Sequence, residues 1–138
     1  MKSLDRNVVK KLLKDIQRFD RLYTWYGARF DIPYIKARAL IHGLDADPVS
    51  YGSRFHKDLY FVGRRNLKIS SRRLENVARL LLGKSNKTRL EPILWTKAQM
   101  GDRKALKYVV EHCDYDVIDL EKVHRKLEPM FPERDTSI

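Results

Sequence analysis

The stretch Leu22–Leu40, LYTWYGARFDIPYIKARAL, decides how the chain is to be read. Leu22 to Tyr26 is a short aromatic, β-favouring run, and Gly27 ends it. After Arg29, Phe30 and Asp31 the pattern changes: Ile32, Ile35, Ala39 and Leu40 recur at helical spacing. Pro33 suits the first turn of that helix, where its missing N–H leaves nothing unsatisfied. Asp31 is therefore expected where a strand ends and a helix begins, a place where ligands and metals bind in α/β folds. Its plainer role is to cap the helix, and these residues alone leave both roles open.

Outward from this stretch, Leu4 to Phe19 carries Val8, Val9, Leu12, Leu13, Ile16 and Phe19 as one apolar stripe. Lysines and Asp15 fill the other face, which predicts a surface helix with Ser3 or Asp5 as cap. The second helix should run from Pro33 to His42 and close at Gly43. Asp45 to Gly52 reads as a loop, and Phe55 to Phe61 as a second strand with poor alternation. A helix follows Ser70 or Ser71 and stops at Gly83, and Lys84–Glu91 is a basic loop. Pro92 opens a helical turn that breaks at Gly101, and Asp102 caps a segment from Arg103 to His112. Asp114 or Asp116 is expected to begin a last helix, and the tail from Pro132 to Ile138 to be frayed. Six helices against two strands is an odd balance, because two strands alone make a marginal sheet.

The 138 residues are expected to form a single domain, 1–138, with a real core. The 43% apolar content argues against disorder. No run approaches the roughly 18 apolar residues of a membrane span, and the charged N-terminus is no signal peptide. A lone Cys113 excludes an internal disulfide and suits a reducing, cytoplasmic setting. No Cys/His group has zinc spacing. The net charge of +11 is concentrated: Arg54 to Arg89 holds eleven basic residues against Asp58 and Glu75 alone. Such clustering points to a polyanion partner, nucleic acid first of all, with Arg29, Arg64, Arg65, Lys68, Arg72 and Arg73 as candidate phosphate contacts.

A second acidic point lies in YVVEHCDYDVIDLEKVHRKL, where His112 and Asp116 are four apart and share a face if the segment is helical. Taken singly, His112 is a helix histidine and Asp116 an acid favoured by the helix dipole. Asp-x-Glu occurs at Asp119-Leu120-Glu121, where it reads as surface charge on the last helix.

As an ordered set, YGARFDIPYI followed about eighty residues later by EHCDYDV resembles the DEDD (DnaQ-like) 3'-5' exonucleases of the ribonuclease-H-like superfamily. It is most similar to their stand-alone predicted exonuclease branch. FHKDLY looks like that family's inner strand ending in an Asp, and LKISSRRLENVARLLLG like its basic-Ser-Leu-helix segment. The likeness covers roughly Asp5 to Leu127. It implies an α/β, ribonuclease-H-like fold, helix-rich and incomplete, because the first three strands and their Asp-x-Glu motif have no counterpart before Leu22. It also implies that Asp31 and Asp116 are metal carboxylates binding Mg²⁺ or Mn²⁺, and that His112 stands where the family keeps a catalytic Tyr or His. His112 has three intervening residues before Asp116, as in the Tyr branch, whereas the His branch has four. The implied function is a metal-dependent exonuclease that needs another chain for full activity. The partner is then a homodimer mate or the missing N-terminal portion, met along the Leu22–Tyr26 strand. The alternatives are a non-catalytic nucleic-acid-binding protein of the same descent and an assembly subunit whose basic face is incidental.

Overall fold

The computed structural model describes residues 5–85, 90–132 and 137–138. They divide into two compact units, Met1–Asn66 with Met130–Ile138, and Leu67–Pro129.

The first unit is built on helix α1 (Arg6–Ile16), which buries Val9, Leu13 and Ile16. These three pack with Ala39 and Val49, and Leu22, Ile35, Leu44 and Ala46 close around them. The buried stripe is narrower than the sequence pattern, since Val8, Leu12 and Phe19 are exposed. Asp5 occupies the N-cap position, but its side chain makes no cap bond. It accepts instead from Arg38 Nε at 2.7 Å and Nη2 at 2.6 Å, and lies 2.9 Å from His42 Nε2. Ser3, the other expected cap, lies outside the described residues.

Strand β1 (Arg21–Thr24) leads through a tight loop into helix α2 (Asp31–Ile41) and a 3₁₀ turn at Asp47–Val49. Strand β2 (Phe55–Asp58) then returns parallel to β1, with Arg21 opposite Phe55 and Thr24 opposite Asp58. This is a strand-helix-strand unit of the kind found in parallel α/β sheets. β1 is shorter than the Leu22–Tyr26 run, because Tyr26 has φ 64° and leaves the extended region. The expected Phe55–Phe61 strand is also corrected. It stops at Asp58, and Leu59–Asn66 forms helix α3, which buries Leu59 and Val62 at helical spacing. Part of the tail expected to be frayed is ordered: Ser137 bridges Phe55, and Ile138 bonds to Arg54 and Gly52. Residues 133–136 of that tail lie outside the described residues.

In the second unit, helices α4 (Leu74–Leu82) and α5 (Pro92–Gln99) pack on helix α6 (Arg103–Leu127). Their core includes Val77, Ala78, Ala105, Val109, Val123 and Leu127. Gly83 ends α4 as expected, in the left-handed conformation (φ 76°) that a side chain would strain. Neither Ser70 nor Ser71 is the cap of α4; Arg73 holds that position without a side-chain bond. Asp102 does cap α6, accepting from Lys104 N at 2.9 Å and Ala105 N at 3.0 Å. The expected new start at Asp114 or Asp116 is absent, and α6 is one helix of 25 residues. No Gly or Pro interrupts it, and its acids lie in the helix body rather than at a cap. Lys87 and Arg89 of the basic loop lie outside the described residues.

Candidate functional site

Asp31 is the first residue of α2; Phe30, with no side-chain bond, holds the cap position. The carboxylate is therefore not spent on capping. It is exposed and makes no hydrogen bond or ion pair with the described residues. Pro33 falls in the same first turn, so the sequence starts the helix at this point without losing a backbone bond.

The loop that delivers Asp31 is held by a residue whose importance the sequence did not disclose. Asp58, at the end of β2, accepts the backbone N–H of Tyr26 at 2.8 Å through Oδ1 and that of Ala28 at 2.9 Å through Oδ2. Its Oδ1 also receives the Tyr60 N–H at 3.1 Å. One carboxylate thus ties the loop after β1 to the end of β2 and the start of α3. Gly27 lies inside this loop, and a Cβ there would come within 2.5 Å of the Thr24 side chain. Aromatic edges complete the support: Tyr26 meets Tyr60 at 4.7 Å, and Trp25 meets Tyr60 at 6.0 Å. Beneath the loop, His56 is buried with Nε2 2.8 Å from Thr24 Oγ1. Burial pushes its imidazole below the ordinary value, against an opposing pull from Asp58. An open cleft of about 460 Å³ beside the loop is lined in part by Ala28, Lys57, Phe61, Arg65 and Asn66.

In the second unit, the unbroken α6 puts His112 and Asp116 one turn apart, with His112 Nε2 3.5 Å from Asp116 Oδ2. His112 is buried and Asp116 half-buried, so the helix-face reading of this pair holds. Asp119 overturns its reading as surface charge. It is 2% exposed and accepts from Ser85 Oγ at 3.1 Å. The signal was available, because Asp119 falls three residues after Asp116 and four before the buried Val123, on the core face of α6. Asp31 belongs to the first unit and the His112–Asp116 pair to the second.

Arg29, Arg64, Arg65, Lys68, Arg72 and Arg73 are all exposed, the first three in the first unit and the rest in the second. Two other members of the basic cluster have internal work. Arg54 donates to the carbonyls of Phe19 and Pro48, and Lys57 is buried with Nζ 4.3 Å from the Phe131 ring centroid. No helix among the described residues is long and apolar enough to cross a membrane.

The donor set does not by itself fit a divalent-metal centre. Among the described residues no three His, Cys, Asp or Glu side chains converge, and the oxygens of Asp58 already serve backbone N–H groups. Mg²⁺ completes its octahedron with waters and substrate phosphates and takes only one or two protein carboxylates, but those carboxylates must converge on one point.

Comparison with known proteins places this architecture. Over 96 residues the chain is 34% identical to a DNA polymerase of Methanocaldococcus jannaschii, an alignment covering 57% of this chain and 6% of the polymerase. The chain therefore spans a small fraction of that relative's length. The sequence signature of the RNase_H superfamily matches residues 1–128. The parallel β1–β2 pair with its helices is an α/β, RNase H-like fold in incomplete, helix-rich form. The chain belongs to the RNase H superfamily.

Proposed function

We propose that this chain is the C-terminal part of a metal-dependent 3'-5' exonuclease-like unit that acts on nucleic acid and reaches full activity only with a partner. The observation that carries the reading is the exposed Asp31 at a strand-helix junction, delivered by a loop that Asp58 locks, in a chain of this superfamily. Asp31 and Asp116 are two carboxylates such a centre would use, with His112 beside Asp116. The further carboxylates would come from the partner, since among the described residues no three such ligands converge. The place for them is the outer edge of β1, which pairs only with β2 among the described residues. A strand docked there lies next to the junction that holds Asp31. The DNA polymerase relative supports DNA as the first substrate to try.

The test is a 5'-labelled single-stranded oligonucleotide incubated with Mn²⁺, with and without a polypeptide supplying the Asp-x-Glu strand. Shortening from the 3' end only in the mixture, lost in Asp31→Asn and in Asp116→Asn, supports the proposal. Intact oligonucleotide in every mixture refutes catalysis.

A second reading, non-catalytic binding, draws on the exposed Arg64, Arg65, Lys68, Arg72 and Arg73 together with the lack of a converged acid cluster among the described residues. It requires weak sequence preference and a steep salt dependence, with each lost phosphate contact lowering the log–log slope by about 0.7 on single strands. An Arg64/Arg65/Arg72/Arg73 quadruple alanine variant that binds as tightly as the parent refutes it.

A further inference from the structure

Helix α6 has two apolar faces, and only one of them is used. Ala105, Val109, His112, Asp119, Val123 and Leu127 are buried. Beside that face runs a second stripe, Leu106, Val110, Cys113 and Val117, at spacings of four, three and four. At 100° per residue these four side chains fall within a narrow sector of the helix surface. They are open to solvent: Leu106 is 49%, Val110 50% and Val117 66% exposed, and Cys113 is exposed too. An alternating four-three apolar repeat is the seam by which one helix packs along another.

The charges of α6 say what covers the seam. Its first turns carry Arg103, Lys104 and Lys107 with no acid before Glu111. From Glu111 to Glu121 there are five acids, Glu111, Asp114, Asp116, Asp119 and Glu121, and no Lys or Arg. Two such helices side by side in the same direction would set base against base and acid against acid. Turned head to tail, each basic end meets the other's acidic stretch. The apolar repeat allows that direction, because the spacings four, three, four read the same both ways. Leu106 then lies opposite Val117 of the second copy, Val110 opposite Cys113, and Lys107 beside Asp114. Lys107 now leans towards Glu111 at 3.8 Å and Glu121 towards Arg125 at 2.6 Å. Both are exposed intrahelical pairs that cost little to rearrange.

We infer that α6 is a homodimerisation surface, on which a second copy of this chain packs its own α6 antiparallel through Leu106, Val110, Cys113 and Val117. The seam is about 16 Å long at 1.5 Å per residue. That is short of what a permanent dimer buries, so the pair forms and parts with concentration. It involves neither the β1 edge nor Asp31, and it stands whether or not the chain is a nuclease.

Sedimentation equilibrium of the full chain from micromolar to several hundred micromolar tests it. The mass should rise from the monomer's 16.4 kDa towards double that value. Val110→Glu lies on the exposed face, so it should leave the circular dichroism unchanged and weaken association by at least about tenfold. Lys107→Glu and Asp114→Lys should each weaken it, and the double swap should restore it. Direction is read from two single-cysteine proteins, Leu106→Cys and Val117→Cys, each also carrying Cys113→Ser. Antiparallel packing predicts a disulfide-linked dimer on mixing the two and none from either alone. A monomer at every concentration overturns the inference. So do a dimer indifferent to Val110→Glu and cross-linking by either cysteine variant on its own.

Discussion

Replacing Asp58 by alanine removes the acceptor for three backbone N–H groups at once, those of Tyr26, Ala28 and Tyr60. Hydrogen bonds to a charged group contribute about 1.5–3 kcal/mol each when sheltered. The two to the loop are exposed, and water replaces much of what is lost. A contribution of about 0.5–1 kcal/mol each is then reasonable, giving about 1.5–3 kcal/mol in all. Against a typical domain stability of 5–15 kcal/mol that is a visible share. The loss should be local first, because Tyr26 at φ 64° has left the broad region open to most residues and relaxes once released. Amide hydrogen exchange followed by NMR reads this directly. Asp58→Ala should speed exchange at Tyr26 and Ala28 by roughly ten- to a hundredfold, while the α1 amides change little. Asp58→Asn, which keeps one carbonyl acceptor, should show about half the free-energy effect. If the Tyr26 and Ala28 amides exchange at parental rates in Asp58→Ala, the carboxylate does not hold this loop.

Three further outcomes follow from the same geometry. Gly27→Ala should destabilise the first unit by about 1–3 kcal/mol in urea unfolding, because the new methyl meets Thr24 Cβ rather than a flexible tip; a neutral result would mean the loop moves freely. Asp102→Ala should cost about 1 kcal/mol by removing the cap bonds to Lys104 and Ala105, measurable as lost stability of the helical second unit. For His56 the sign is fixed by burial. Its folded pKa lies below the unfolded value, so the unfolded state takes up the proton first as the solution is acidified. Stability should therefore be unaffected by this group above about pH 6.5 and fall as the pH drops below it. His56→Gln should flatten that part of the urea-midpoint profile, and an unchanged slope would show that His56 does not cause it.

The parts of this fold legible in the sequence were those with one period and a clear stop. The α1 helix, the helix opened at Asp31 and Pro33, the stop of α4 at Gly83 and the cap at Asp102 are of this kind. The ordered motifs also pointed to the superfamily whose signature spans residues 1–128. The errors have physical causes. Phe55 to Phe61 is apolar enough for either period, and the turn from strand to helix is fixed by the Asp58 side chain accepting the Tyr60 N–H, which the apolar pattern does not reveal. Asp114 and Asp116 resembled a cap because acids favour helix starts, yet a strong cap already stood at Asp102. Asp58 ends the strand-like FHKD segment, but its role rests on donors at Tyr26 and Ala28, far earlier in the chain, and at Tyr60 just after it, and spacing does not reveal that convergence. Asp119 reads as surface charge by residue type alone, whereas its place in the α6 period puts it inside.

The ordered end of the tail has a practical consequence for anyone who handles this protein. The Ile138 N–H donates to the Arg54 carbonyl, and its own carbonyl accepts from Gly52, so the last residues lie along the flank of β2. A purification handle or fluorophore appended after Ile138 would leave the chain at that flank, against the segment that positions His56 and Asp58. Such a label would report on, and disturb, the sheet rather than trail as an inert appendage. A probe on the exposed Met100 position, in the second unit, avoids this, and comparing it with a C-terminally labelled protein would separate the behaviour of the molecule from that of its tag.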